Sequence, residues 1–257
     1  MNLTDKQCSV LLNIAHKACG MTVKGRMARL QSVIYDRMKA VGIKSVDKYI
    51  TLLRNNTAEV SNFTDALTIN WTYFFRENQH CEFLIKNVDR SKYLKIWSAA
   101  CSTGAEPYSI AVQFLASGFN FEILAVDISD TALEKAVKGI YFYENVQNVP
   151  DHILHKYFQR GRGKLEGYVR VKTEVKSRVT FLKYNLLSNT RPQGSFDIIF
   201  CRNVMMYFDD NDCERLLQKL HKSLNSGGYL IVGTSENIFG YDHKFKRIKG
   251  EQGIYTK

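Results

Sequence analysis

Four apolar runs in this chain of 257 residues each end on residues that could do chemistry. The run at 93–97 leads into small residues, Ser98 to Gly104, followed by Glu106 and Pro107. The run at 121–126 ends at Asp127, the run at 181–184 at Asn185, and the run at 196–201 at Arg202 and Asn203. In an open parallel sheet, ligands bind beyond the carboxyl ends of the strands. Small residues let a ligand lie against backbone, and an acid ending the second strand can take the hydroxyls of a ribose. The agreement of four strand ends says more than any one of them. It suits a dinucleotide or S-adenosylmethionine equally. The usual dinucleotide fingerprint has three glycines, and here only Gly104 is present, so the first loop by itself also reads as an ordinary strand-to-helix turn. Asp127 by itself also reads as a cap for the helix after it. No P-loop lysine follows the loop, which argues against nucleotide hydrolysis.

A second polar set lies upstream. Asn70, Thr72 and Arg76 are interleaved with Trp71, Tyr73, Phe74 and Phe75. Such a segment reads as plain core or as part of a site. Buried polar groups need partners, and an arginine beside aromatics suits recognition of an anion.

The elements that must position these residues are legible as periodicities. Residues 93–97 suit a buried strand, and Tyr108, Ile110, Ala111 and Phe114 follow at helical spacing, with Pro107 in the first turn. Strands at 121–127, 181–187, 196–201 and 229–233, with last sheet residues in 245–255, make a doubly wound α/β sheet. Residues 138–180 break the alternation with four glycines and short alternating runs at 168–171 and 179–181, which predicts a small antiparallel insertion. Residues 1–69 read as all-helical. One helix stops at Cys19-Gly20, a second runs over 24–41 with Gly42 as C-cap, and a third begins at Ser45 as N-cap.

The composition is that of a globular chain, with 45% hydrophobic residues, 3 prolines and a net charge of +11. The charge predicts an acidic partner, whether nucleic acid, anionic membrane or acidic protein. Up to Val60 there are ten Lys or Arg against four Asp or Glu, dense on the second helix. These form either a solvated face or a docking surface. No apolar run is of membrane-spanning length, and the first residues lack the layout of a signal peptide, so a cytoplasmic protein without membrane insertion is expected. The 6 cysteines form no Cys-x-x-Cys pair or finger spacing, so reduced, mostly buried thiols and no metal are expected. Cys101 reads as a small residue of the loop and not a nucleophile.

Three longer runs, 68–77, 97–109 and 200–208, resemble the chemotaxis receptor glutamate methyltransferases, the CheR family. Gly227-Gly228 and 233–236 are similar too. The likeness extends over nearly the whole chain, with one departure at Ala105, where the family commonly has a second Glu. It implies an all-helical N-terminal domain (1–70), then a class I S-adenosylmethionine-dependent methyltransferase domain (71–257) with a doubly wound sheet and a β insertion at about 161–180. It implies that Asn70, Thr72 and Arg76 reach the cofactor, that Glu106 sits beside its methionine part and Asp127 on its ribose, and that Asn185, Leu186, Arg202 and Asn203 lie near the adenine and the loop edge. Arg76 would hold the acceptor carboxylate or the cofactor's own, and Tyr207 would orient the acceptor. The partners implied are the acidic cytoplasmic helices of methyl-accepting chemoreceptors, with Arg26, Arg29 and Arg37 as docking residues, no nucleic acid, and a monomer by default. The rival readings are a nucleic-acid methyltransferase and a catalytically inactive cofactor-binding regulator. Against the first, Cys201-Arg202-Asn203-Val204 stands where base-amine methyltransferases usually carry an Asn/Asp-Pro-Pro-aromatic run.

Overall fold

A computed structural model of the chain describes residues 3–22 and 27–257. Four helices come first: α1 (Asp5–Cys19), α2 (Met27–Ala40), α3 (Val46–Asn55) and α4 (Thr57–Leu67). Thr4 caps α1 through a reciprocal box with Gln7, and Gly20, at φ 73°, ends it by donating its N–H to His16 O. Ser45 occupies the N-cap position of α3, as expected, but its side chain makes no capping bond. The four helices bury one core of their own, including Leu11, Leu30, Ile34, Tyr49 and Phe63.

The remainder is α5 (Gln79–Asn87), β1 (Tyr93–Ala99), α6 (Ala105–Ala116), β2 (Asn120–Asp127), α7 (Asp130–Lys138), β3 (Ile140–Phe142), α8 (Asp151–Tyr157), β4 (Phe158–Arg160), β5 (Tyr168–Val171), α9 (Thr173–Lys176), β6 (Val179–Lys183), β7 (Phe196–Cys201), α10 (Asp210–Ser223), β8 (Leu224–Val232), β9 (Lys246–Arg247) and β10 (Ile254–Thr256). The main sheet has the order β6-β2-β1-β7-β8-β10-β9. Its first five strands are parallel, β10 is antiparallel to β8, and β9 is antiparallel to β10. From β1 the chain moves outward to β2 and β6, then returns to β7 on the other side. The switch point therefore lies between β1 and β7, where a ligand crevice opens. Alternate residues of the central strands face two cores, Ile96 and Phe200 one, Trp97 and Ile199 the other.

The antiparallel insertion is a three-stranded sheet, β3-β5-β4. It starts at Ile140, upstream of the expected 161, while Val179-Thr180 belongs to β6 of the main sheet. Strands of three residues carry too little alternation to be read from periodicity. The helical domain is joined to the sheet's carboxyl edge by polar contacts. Asp65 accepts from the N–H groups of Asp130 and Thr131 at the start of α7, both at 3.1 Å, where the helix dipole favours an anion. His16 meets Asp212 at 2.8 Å. Asn185 Nδ2 donates to Ala18 O at 3.1 Å, and the Thr22 N–H donates to Tyr207 O at 2.7 Å.

Candidate functional site

At the switch point the structure has a cleft of about 890 Å³, open mouth included. Asn70, Thr72, Arg76, Glu106, Asp127, Asn185, Leu186, Arg202, Asn203 and Tyr207 all line it. Residues from four strand ends and from the segment before β1 thus meet in one space. The helical domain adds Cys19 and Met21, which periodicity assigned to no site.

The backbone is strained here and nowhere else outside glycine among the described residues. Phe75, Glu77, Ala100, Ser102 and Asn203 have φ between 50° and 67°. All five belong to the cleft lining or flank Arg76. Left-handed backbone is costly for residues with a Cβ and persists where surrounding contacts over-determine it, as at functional sites. Gly104 is needed for a different reason. Its φ is 88°, and a Cβ there would stand 2.8 Å from that of Ala136. One glycine suffices because Ala100 and Ser102 bear the other turns of the loop.

Asp127 is nearly buried at the end of β2. Its carboxylate accepts from the N–H of Ser102 at 2.7 Å and of Ser129 at 3.0 Å. It therefore ties the loop after β1 to the turn before α7, besides facing the cleft. Burial raises its pKa above the ordinary aspartate range. Glu106 lies in the first turn of α6, accepts from Ser98 Oγ at 2.7 Å, and pairs with Arg202 Nε at 3.1 Å. Burial raises its pKa too, and Arg202 opposes the rise.

Arg202 is the hub of the buried wall. Its Nη2 donates to Arg76 O at 2.8 Å and its Nη1 lies 3.5 Å from His80 Nδ1. Its Nε is buried and close to Glu106, yet not aligned for a hydrogen bond. His80 Nε2 is 3.0 Å from Gln252 O. A carbonyl can only accept, so Nε2 carries the proton and Nδ1 offers a lone pair toward Arg202. Burial, then the Arg202 charge, lowers the His80 pKa to about 4, so the ring is neutral. Glu77 accepts from the Thr234 N–H at 3.1 Å, and Glu236 accepts from the N–H groups of Asn203, Met205 and Gly233 at 2.5, 2.9 and 2.9 Å. His80 carried no signal in the sequence, and Glu77, Ser98 and Glu236, though inside the runs singled out, were given no role; their contacts supply it.

Two expected cofactor residues make structural bonds. Asn185 donates to Ala18 O, and its Oδ1 accepts from the Leu187 N–H at 2.9 Å, so its amide fixes the turn after β6 and anchors α1. Arg202 braces Glu106 and the Arg76 backbone. Arg76 itself donates from Nη1 to Trp71 O at 3.2 Å and lies over the Tyr73 ring at 5.8 Å. Of the expected docking residues, Arg26 lies outside the described residues. Arg29 and Arg37, both partly exposed, make bonds within the helical domain. Arg29 donates to the carbonyls of Ala66, Leu67 and Thr68 at 2.8–3.0 Å, and Arg37 forms a fork with Glu59 at 2.9 and 2.6 Å. Both guanidiniums turn inward, because the end of α4 offers unpaired carbonyls and the buried Glu59 needs a counter-charge.

Residues 70–254 match the model of the CheR methyltransferase SAM-binding domain, and residues 8–68 match that of the CheR all-alpha domain. The chain belongs to the CheR methyltransferase family. It is 40% identical to the chemotaxis protein methyltransferase of Escherichia coli over 81% of this chain and 76% of that one. It is 34% identical to that of Borreliella burgdorferi over 93% and 91%. A solved S-adenosylmethionine-dependent methyltransferase from Mesorhizobium loti matches 61% of this chain and 52% of that one at 17% identity and a TM-score of 0.35, too slight a likeness to argue from. The cofactor of the family is S-adenosylmethionine, and the fold is a helical domain followed by a methyltransferase sheet. The cleft fits that cofactor. A loop of small residues lines one side, and two carboxylates, the buried Asp127 and the largely buried Glu106, offer acceptors to ribose hydroxyls and to an ammonium. Cys101 is buried, and burial holds its thiol well above the ordinary range, which makes it a small lining residue.

Proposed function

We propose that this protein methylates glutamate side chains in the cytoplasmic helices of chemoreceptors, giving glutamyl methyl esters. The observation that carries the reading is the cleft itself, whose polar wall is built from the largely buried Glu106 and Asp127, already paired or bonded, with Arg76 at the seam between the domains. The names of the relatives, chemotaxis protein methyltransferases, supply the context. S-adenosylmethionine, when bound, supplies a methyl group on a sulfonium and is itself the activated donor.

A glutamate acceptor is ionised near neutral pH, so no general base is required of the chain. Its residues have three tasks. Glu106 and Asp127 orient the methionine ammonium and the ribose, with Asn70 and Thr72 also lining the cleft. Arg202 opposes the rise in the Glu106 pKa that burial causes. Arg76 and Tyr207 hold the acceptor carboxylate in line, which is catalysis by positioning. The decisive experiment incubates the protein with labelled S-adenosylmethionine and receptor cytoplasmic fragments, or RNA. Base-labile label on the receptor fragment is expected. Label on RNA alone, or none with cofactor bound, would overturn the assignment.

A further inference from the structure

Large apolar side chains stand exposed around the mouth of the cleft. Trp71 is 74% exposed, Ile69 40% and Met206 49%. Trp71 and Ile69 line the cleft, and Met206 is on the short 3-10 turn beside Tyr207, which lines it as well. Exposed apolar surface gathered at a functional cleft marks contact with another macromolecule.

The segment that carries Trp71 is anchored on both sides. Asn70 Oδ1 accepts from Ser102 Oγ at 3.2 Å, the Trp71 carbonyl accepts from Arg76 at 3.2 Å, and the Phe75 N–H donates to Ser109 Oγ at 2.9 Å. The indole is therefore held in water by a fixed backbone. A rigid aromatic presented this way loses little freedom on binding, and tryptophan is the side chain most enriched among residues that dominate interfaces.

We infer that Trp71, with Ile69 and Met206, forms an apolar rim that receives the apolar face of an amphipathic helix whose acidic face offers the glutamate for methylation. The inference rests on the glutamate reading and adds a recognition element to it. The occupant follows from continuity with the cleft. The acceptor carboxylate must enter the space that Trp71 and Ile69 line, and a helix presenting one glutamate lays its neighbours at i±3 and i±4 on the surface around it.

The test compares the full chain with Trp71→Ala and Trp71→Phe. It measures methyl transfer to a receptor cytoplasmic fragment and cofactor affinity by calorimetry. Trp71→Ala should raise KM for the fragment about tenfold or more, several times more than it changes cofactor Kd. Trp71→Phe should recover most of the KM. An unchanged KM would overturn the rim, and so would a cofactor Kd that rises as much as KM, which would put the indole on the cofactor. If the unsubstituted protein forms no methyl ester on the fragment, the glutamate reading fails, and the rim with it.

Discussion

Arg76 shows how single side chains at this site are set. One guanidinium nitrogen is fixed on the Trp71 carbonyl, its own carbonyl receives Arg202, and the residues on either side have left-handed backbone. A group held so firmly can orient a carboxylate without binding it so tightly that the oxygen loses nucleophilicity. Arg76→Ala should lower kcat by roughly 100-fold, the scale of a misplaced reactant, with the thermal unfolding curve near that of the parent. Labelled methyl transfer checks this, and turnover near the parent's would remove Arg76 from the mechanism. His80 makes a different prediction. Its folded pKa of about 4 lies below its ordinary 6.5, so between those values the unfolded chain binds a proton that the folded one does not. The contribution is complete above pH 6.5 and is lost as pH falls toward 4, by up to roughly 3 kcal/mol. Glu106, Asp127 and Glu236, raised by burial, act in the opposite direction. His80→Gln keeps those groups, so the difference between the two proteins isolates the ring. Urea unfolding at pH 7 and pH 5 should show a smaller acid loss in the variant, and equal losses would refute the neutral ring.

At the scale of elements, two of the expected docking residues also hold the helical domain together. Helix α2 is basic, but its arginines serve α4, where Arg29 caps three terminal carbonyls and Arg37 neutralises Glu59, which also accepts from the Tyr49 hydroxyl at 2.8 Å. Charged donors on buried acceptors contribute more than neutral ones. Arg29→Ala should therefore cost roughly 2 kcal/mol of stability, with KM for the receptor fragment unaltered. Denaturant unfolding beside steady-state kinetics decides it: a raised KM at unchanged stability would restore Arg29 to the docking surface. The same scale limits what periodicity can reveal. Strands β1, β2 and β7 are long, apolar runs and were legible. Strands β3 and β4 have three residues each, so the insertion was legible from its glycines and its β5 run, but its start at Ile140 and its strand order show only in the pairing with β5.

For the whole molecule, the net charge of +11 remains although two arginines are turned inward. Lys39, Lys44, Lys48 and Arg54 stay exposed on the helical domain. A field of this kind steers an acidic partner and raises its rate of encounter, while contact at the mouth sets how long it stays. KM for the receptor fragment should therefore rise several-fold between roughly 0.05 and 0.3 M salt, over which the Debye length falls below about 10 Å. Steady-state kinetics across that range test this, and a flat profile would argue against steering. The described residues include no helix long and apolar enough to cross a membrane.

The doubly wound sheet, the helical domain before it and ten residues of the cleft lining could be read from the amino-acid sequence. Strand ends and motif runs are local, and a parallel sheet sends its carboxyl ends to one edge. Tertiary structure decided what each polar group does when it arrives there. Asn185 bonds to α1, Arg202 braces Glu106, and Arg29 and Arg37 face inward. Each is a pairing between residues far apart in the chain, driven by the cost of leaving a buried donor or charge without a partner. A sequence shows which residues carry such groups. Only packing decides which group is nearest when water is excluded.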